Sequence, residues 1–291
     1  MSQSTWRVAE PRQFTFDDPV GALSVRIEGG AVNVVGTDPA TLAARGGTRL
    51  EITEVEGPPL IVTRDGDTLT VGYEDLSWQS FLGWFDHKRH RRSAVVSLAV
   101  PSSASVEVGF VGAAAVISGV RGRTEVRSVT GDATLVGLAG AVLAETVSGT
   151  IEAQAVTGAL RFHSVSGDLT VVEGAGSSVR ADSVSGNVVL DLDPAGAPTD
   201  IRLGTVSGDV AIRLPHPADT EVVANTASGR VSSAFEDLRV TGTWGAKKIT
   251  GTLGSGNGTL RAATVSGSIA LLRRPPSEDA SDAAPAHSKE L

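Results

Sequence analysis

The sequence contains no cysteine, and only 4% of its residues are aromatic. The absence of cysteine excludes a disulfide scaffold, a cysteine nucleophile and a zinc site built from thiolates. Long apolar runs are also missing, since no uncharged stretch approaches the roughly 18 residues that indicate a membrane-spanning helix. The N-terminal segment carries charged residues and lacks the apolar core of a secretory signal. From these absences we expect a cytoplasmic protein.

Apolar residues are plentiful but small. They make up 41% of the chain and are mostly Val, Ala, Leu and Ile, which is too apolar for a disordered protein. The formal net charge is −8, and an acidic chain is a poor partner for nucleic acid. We therefore expect a folded protein that binds no nucleic acid.

Glycine is abundant, with 34 residues, and it follows a repeat. A tetrapeptide of the form (Ser/Thr)-Val-(Ser/Thr)-Gly occurs at Ser128–Gly131, Thr146–Gly149, Ser164–Gly167, Ser183–Gly186, Thr205–Gly208 and Thr264–Gly267, with a variant at Thr226–Gly229. Glycines also recur every nine residues, at Gly122, Gly131, Gly140, Gly149, Gly158, Gly167 and Gly176. Strict spacing of this kind is the signature of a repeat architecture.

Each nine-residue unit has the pattern of a short strand followed by a corner. Ile151 and Ala153 alternate with polar residues, as do Leu160 and Phe162 in the next unit. Such a strand cannot bury its apolar face alone, but coils stacked about 4.8 Å apart can. The sequence predicts an all-β, single-chain β-solenoid with about 18–22 residues per coil and two strands per coil. An antiparallel β-sandwich is the alternative.

The solenoid makes a prediction about register. Gly149, Gly167 and Gly186 should lie one above another at a corner, because glycine permits a turn that a β-carbon would obstruct. We expect Val147, Val165 and Val184 to stack beside them as an inward ladder.

Three regions are predicted along the chain. Residues 12–111 form an N-terminal β-strand region, with a hairpin at Asp65-Gly66 and a helical insert at 74–92. Residues 112–273 form the repeat solenoid. Residues 274–291 change to Pro, Ser, Asp, Ala and Glu, and we expect a disordered tail there.

The insert is a candidate partner or membrane contact. Trp78, Phe81, Leu82 and Phe85 have the spacing of one helix face, and a basic run follows that includes Lys88, Arg89, Arg91 and Arg92. Aromatic residues beside cations can bind an anionic membrane surface. The other interpretation is a cap over the exposed end of the solenoid, with the cations projecting into solvent.

A second candidate is a surface charge column. Arg127, Glu145, His163 and Asp182 each stand four residues before a corner glycine and should stack on one outer face. The simpler interpretation is an exposed ion ladder. The alternative is a sugar-binding or hydrolytic groove, although Glu145 and Asp182 would be about 10 Å apart, slightly beyond the carboxylate gap of glycosidases.

No motif in the sequence indicates catalysis, a cofactor or a metal. The chain has no His-Glu-x-x-His, no Gly-x-Ser-x-Gly and no phosphate-binding loop. It also lacks the Gly-Gly-x-Gly-x-Asp pattern of calcium-binding β-rolls. We expect no catalytic, cofactor-binding or metal-binding residues and no enzymatic activity.

The Val-Ser-Gly corners and the segment Leu98–Pro101 resemble a bacterial family of unknown function, the β-strand-repeat adhesin-like or toastrack domains, of actinobacterial type. The resemblance covers residues 15–273. It implies a β-helix-like fold, no assigned enzymatic activity and an association with envelope-stress or regulatory systems. Surface adhesion is not expected, because no signal or anchor is visible in the sequence.

Taken together, the sequence predicts a non-enzymatic scaffold or interaction module with a protein partner. Two alternatives stay open: a self-assembling filament like the bactofilins, and a carbohydrate-binding or carbohydrate-active β-helix. Peripheral membrane contact and self-association are also left open.

Overall fold

The computed structural model describes residues 3–73, 92–192, 200–215, 217–243 and 245–274. These residues form a β-solenoid in which two long sheets enclose one continuous apolar core. The predicted fold class is therefore confirmed. One short helix, α1 at Pro39–Ala44, interrupts the described strands, and the Asp38 carboxylate caps it by accepting from the Ala40 amide at 3.0 Å.

The first sheet, sheet A, has 14 strands. In spatial order they are β1 (Ser4–Val8), β6 (Leu60–Asp65), β7 (Thr68–Gly72), β3 (Ala22–Ile27), β9 (Ser105–Phe110), β11 (Thr124–Ser128), β13 (Val142–Thr146), β15 (Leu160–Ser164), β17 (Ser178–Ser183), β19 (Asp200–Thr205), β25 (Gly258–Thr264), β21 (Thr220–Thr226), β24 (Ala246–Leu253) and β23 (Arg239–Thr243).

The second sheet, sheet B, has 12 strands. In spatial order they are β2 (Arg12–Phe16), β5 (Thr48–Glu56), β8 (Ser93–Pro101), β4 (Gly29–Thr37), β10 (Ala114–Ser118), β12 (Ala133–Val136), β14 (Ile151–Gln154), β16 (Leu169–Gly174), β18 (Val188–Leu192), β20 (Val210–Leu214), β26 (Ile269–Arg273) and β22 (Val231–Ser233).

A coil consists of one strand of sheet A, a corner and one strand of sheet B. Successive coils pair in parallel and in register, so that Val142, Leu160 and Val179 lie side by side on β13, β15 and β17. Alternate residues point inward, and Ala144, Phe162 and Ala181 form a second buried row. The register places one apolar ladder beside another along the core.

The corner tetrapeptide has a physical explanation. In the coil that ends at Gly186, the first hydroxyl, that of Ser183, lies inside and accepts from the Gly186 amide at 2.9 Å. Gly186 has no room for a side chain, because an added Cβ would lie 1.9 Å from the Gly167 carbonyl oxygen. Gly149, Gly167 and Gly186 therefore stack at one corner as predicted.

The predicted inward valine ladder is wrong. Val165 and Val184 are 52% and 50% exposed, and Val147 is half-buried. The reason is that the preceding Ser or Thr takes the inward position, where its hydroxyl satisfies the glycine amide that the turn leaves without a strand partner. The valine then points outward, and the core is filled instead by the strand residues before it.

At the N-terminal end the coils do not follow chain order. The coil formed by β3 and β4 lies between the coil of β7 and β8 and the coil of β9 and β10. Beyond β7 and β8 the strands turn antiparallel: β6 and β1 extend sheet A, and β5 and β2 extend sheet B. The hairpin predicted at Asp65-Gly66 is the β6–β7 connection, where Asp65 pairs with Thr68.

An aromatic cluster closes this end. Trp6 packs against Phe14 and Phe16, with ring centroids 5.5 and 6.0 Å apart, and all three rings contact the buried core. These side chains come from β1 and β2. The described strands therefore contribute a cover at this end of the core, and the interpretation of the insert as a cap falls on residues 74–91, which lie outside the described residues.

The C-terminal end shows the same interleaving. The last coil in sequence, β25 and β26, lies between the coil of β19 and β20 and the coil of β21 and β22. Antiparallel β24 and β23 then extend sheet A, and Phe235 and Leu238 are buried beside them. Arg274, which we assigned to the tail, is still attached to this end: its amide donates to the Leu214 carbonyl at 2.9 Å. The rest of the predicted tail, 275–291, lies outside the described residues.

Candidate functional site

The outward side of sheet A carries charged side chains at shared register positions. The predicted column lies there, at one register position of four neighbouring strands: Arg127 beside Glu145, Glu145 beside His163, and His163 beside Asp182. The structure therefore brings all four residues together. Whether the column binds anything stays a prediction.

The column is held by ion pairs of unequal strength. Arg127 Nε lies 2.7 Å from Glu145 Oε2, whereas His163 Nδ1 lies 3.7 Å from Asp182 Oδ2 and forms an ion pair only when the imidazole is protonated. Glu125, next to the column and only 5% exposed, accepts from both Arg123 and Arg127. This end of the face is internally neutralised, as an ion ladder would be.

A second charged feature, which we call the arginine row, was missed by the sequence analysis. Arg161, Arg180, Arg202 and Arg261 occupy one register position on β15, β17, β19 and β25, about 4.8 Å apart, and all four are exposed. Each stands six residues before a corner glycine, namely Gly167, Gly186, Gly208 and Gly267. The sequence analysis compared the residues four positions before each corner glycine. The same comparison at six positions before each glycine would have found the row.

Two members of the row are compensated by carboxylates. Arg180 Nε lies 3.1 Å from Asp182 Oδ2, and Arg202 Nη2 lies 3.1 Å from Asp200 Oδ2. No ion pair joins Arg161 or Arg261 to another residue in the described part of the chain. The row therefore has four positive charges against two negative ones.

A shallow groove of about 290 Å³ opens beside the row. Arg180, Arg202 and Arg261 line it, together with the Asp182 carboxylate on β17 and Asn225 on β21. The groove exists because Gly204 and Ala263 continue the position of the charge column beyond Asp182, and such small residues leave a depression. Its floor is apolar, and its rim carries guanidinium groups.

The outward side of sheet B is different. The register position that runs through β10 to β20 holds Val116, Thr134, Glu152, Thr170, Val189 and Ala211. Glu152 is the single charged residue in that row. The other outward row of sheet B carries one charged pair in register, Asp191 on β18 beside Arg213 on β20, with Arg213 Nη1 3.3 Å from Asp191 Oδ2. Charge in register over four neighbouring strands is found on sheet A among these middle coils.

Within the described residues no group of three or more His, Cys, Asp or Glu side chains is arranged to hold a metal ion. The corner aspartates have structural partners instead: Asp168 accepts from the Asn187 amide, and Asp209 from the Ser268 amide, each at 2.7 Å. In the same residues no helix is long and apolar enough to cross a membrane.

Comparison with family models gives a match to Toastrack DUF4097 over residues 48–272, more than three-quarters of the chain. The chain belongs to this family. The match starts where β5 begins and ends within β26, so the coil of β3 and β4 precedes the matched segment in sequence although it is inserted among the toastrack coils in space. The sequence matches no curated protein.

Two solved structures are similar to this toastrack chain. A candidate cell adhesion protein from Clostridium sporogenes is 8% identical, with 91% of this chain and all of that chain covered and a TM-score of 0.29. A candidate lipid-binding protein from Parabacteroides distasonis is 11% identical, with 90% of this chain and 97% of that chain covered and a TM-score of 0.42. At this level of similarity neither role transfers to the present chain.

The predicted insert site lies outside the described residues except at its end. Of the candidate contact residues, Trp78, Phe81, Leu82, Phe85, Lys88, Arg89 and Arg91 are not described. Arg92 is described, and it does not project freely into solvent as expected: its side chain is 16% exposed, and its Nε lies 3.7 Å from Glu28 Oε2.

The two residues that flank the undescribed segment of this toastrack chain lie together. The Arg92 guanidinium stands 5.5 Å from the centre of the Tyr73 ring. Burial raises the pKa of Tyr73 to about 12; the Arg92 charge opposes this shift, and Glu28 adds to it. Tyr73 and Arg92, the described residues on either side of 74–91, thus lie together between β7 and β8 near the N-terminal end of the solenoid.

Proposed function

We propose that this toastrack chain is a non-enzymatic interaction module that presents the outward side of sheet A to a partner protein. The observation that carries the proposal is the length of the charged rows: on sheet A the ion-paired column and the arginine row each run over four neighbouring strands. On the middle strands of sheet B one outward row has a single charge, Glu152, and the other has one pair in register, Asp191 and Arg213. A continuous sheet held by stacked coils keeps such side chains at fixed spacing, which suits recognition. The resemblance to bacterial toastrack proteins supports a setting in envelope-stress or regulatory signalling on the cytoplasmic side.

The structure of the two ends of the solenoid is relevant to the alternative that the protein forms filaments. A coil can stack on another molecule only if its strand edges and core are open. Antiparallel strands and the Trp6–Phe14–Phe16 cluster cover the core at one end, and Phe235 and Leu238 lie at the other. This arrangement supports a discrete module over an open-ended filament.

Photo-crosslinking tests which side binds. A photoreactive amino acid is placed at Leu143 or Val223 on the outward side of sheet A, or at Val189 on the outward side of sheet B as the matched control, in bacteria that make the protein. We expect crosslinks to one discrete protein from the sheet A positions and none from Val189. Crosslinks from Val189 alone, or none from any position, would contradict the proposal.

The oligomeric state is tested separately. Sedimentation velocity and negative-stain images over a range of protein concentrations should show a discrete particle whose size does not grow with concentration. Fibres or continuous growth would favour the filament. A glycan array run on the same material tests the carbohydrate alternative.

A further inference from the structure

The arginine row lowers the stability of the fold when no ligand is bound. Residues in register on neighbouring parallel strands lie close together, and like charges so placed destabilise a sheet. The fold does not require arginine there, because the same register position holds Leu143 on β13 and Val223 on β21. Four coils nevertheless place arginine at this position. Residues that destabilise the local structure are often found at functional sites.

The groove beside the row has the features of a binding site for an anion attached to a carbon skeleton. Guanidinium groups at the rim can each form two parallel hydrogen bonds to a carboxylate or phosphate. Gly204, Ala263 and Val223 offer apolar contact below, and the Asn225 amide can donate to or accept from a peptide backbone. Arg261 has no ion-pair partner in the described residues and is free to bind at the edge of the groove.

The charges around the groove favour one class of ligand. Asp182 and Asp200 flank the row and would repel a dense polyphosphate, a nucleic-acid backbone or an anionic membrane. A peptide carries its carboxylates on flexible side chains, so it can direct them toward the guanidinium groups and away from Asp182 and Asp200, and it can lay its backbone over the apolar floor. An extended protein segment therefore fits both the row and the groove.

We propose that the arginine row and its groove bind an extended acidic peptide segment of a partner protein through the carboxylates of its Asp and Glu side chains. This proposal rests on the proposed function and names the chemistry of the partner. The row supplies the charge, the groove supplies the apolar contact, and the strand spacing sets the direction of the bound segment along the solenoid axis.

The test uses a fluorescein-labelled oligoglutamate peptide and fluorescence anisotropy with the full chain. We expect saturable binding at low salt that weakens as potassium chloride is added. Arg202→Gln together with Arg261→Gln should weaken binding about tenfold, as expected when two exposed charge pairs are removed. The matched control, Arg121→Gln with Arg230→Gln, removes the same charge at exposed positions outside the groove and should change binding by less than about twofold.

A second variant acts in the opposite direction. Asp182→Asn removes a carboxylate that occupies Arg180, and we expect it to tighten oligoglutamate binding. A merely damaged fold would not produce a gain. Thermal melts of all variants accompany the titrations.

Several results would overturn the inference. They are no oligoglutamate binding at low salt, equal losses in the groove pair and the control pair, or weaker binding in Asp182→Asn. Tighter binding of phosphatidylserine vesicles or single-stranded DNA than of oligoglutamate, lost on the same arginine substitutions, would also overturn it. If oligoglutamate fails but crosslinks still form from Leu143 and Val223, only the ligand class is wrong. Crosslinks from Val189 alone contradict the proposed function itself.

Discussion

The middle coils and the two ends of this solenoid are built in different ways. From β11 to β20 every coil follows the previous one in sequence, pairs in parallel and turns at a glycine that lies against a carbonyl of the coil before. At both ends the order of coils changes, antiparallel strands appear and aromatic side chains fill the core. Identical coils can be added to a solenoid without limit, but they cannot form its ends, because the last coil would always expose open strand edges and apolar core. The ends therefore need strands of a different kind.

A destabilising substitution should affect more neighbouring strands in the middle coils than at the ends. A middle coil contacts a neighbour on both sides, so a change at its corner disturbs two interfaces. An end strand has one neighbour, and losing it should open only the end. The following predictions test this contrast, beginning with the largest effect.

The largest effect is expected at a middle corner. In Gly186→Ala the new Cβ would lie 1.9 Å from the Gly167 carbonyl oxygen, so the two coils must separate. We expect a loss of about 3 kcal/mol in the free energy of unfolding, at the upper end for overpacked sites. Urea unfolding followed by circular dichroism measures it.

Gly112→Ala is the matched control, because the nearest atom to its added Cβ is Thr130 Oγ1 at 3.5 Å, an ordinary contact. We expect a change of less than about 0.5 kcal/mol there. Equal effects at the two glycines would mean that the stacked corners do not limit the coil spacing.

The same contrast explains what could be predicted from the sequence. The glycine spacing indicates the solenoid because each middle coil repeats the same local chemistry, and the inward positions of Leu160 and Phe162 follow from simple alternation. Val165 was misplaced because its apolar side chain was expected inside. The alternation of Leu160 and Phe162 in fact continues through Ser164, whose hydroxyl accepts from the Gly167 amide, and leaves Val165 outward. The interleaved ends were not predictable, because which coil lies next to which is a choice among non-local pairings that leaves no periodic signal.

The candidate site also has a part that could be predicted from the sequence and a part that could not. The charge column was predictable because its members share a fixed distance from the corner glycines, and the arginine row carries the same kind of signal at another distance. The groove was not, because it depends on Gly204 and Ala263 lying side by side on β19 and β25, which are far apart in sequence.

A smaller and more local effect is expected at the N-terminal end. Trp6→Ala removes a ring that packs against both Phe14 and Phe16, and Trp6 is only partly buried. We expect a loss of about 2 kcal/mol, below the range for fully buried aromatic residues. Hydrogen exchange should show faster exchange in β1, β2, β5 and β6 and unchanged protection in β13 to β18. Loss of protection throughout would contradict the local character of the ends.

The third prediction concerns pH at the start of the insert. The pKa of Tyr73 is raised from 10.0 to about 12, so the folded state holds this proton more tightly than the unfolded state. The resulting stability is fully present below pH 10 and is lost as the pH rises through about 12, and it amounts to at most about 2 kcal/mol.

Tyr73 is the single tyrosine of the chain, so tyrosinate absorbance reports it directly. Glu28→Gln removes a negative charge that raises the pKa of Tyr73, and the titration midpoint should therefore fall. A midpoint near 10 in the native protein, or an upward shift in the variant, would contradict the burial of Tyr73 beside Arg92 and Glu28.

The smallest effect is expected at the outward corner position of the middle coils. Val165→Asp places a charge where the side chain is 52% exposed, and water can solvate it, so we expect the free energy of unfolding to change by under about 1 kcal/mol.

Val171→Asp is the matched control. The same substitution at this inward position, 1% exposed, buries an unpaired carboxylate and should unfold the chain or shift that carboxyl far toward its neutral form. Denaturation curves of the two variants, measured side by side, separate the two registers. If Val165→Asp were as damaging as Val171→Asp, the valine of the corner motif would have to point into the core, and the hydroxyl-to-glycine hydrogen bond would not be what sets the direction of the chain at each turn. A tolerant Val165 and an intolerant Val171 would show that the corner valine lies outward, next to the inward Ser164 hydroxyl that accepts from the Gly167 amide, and that the core resumes on β16.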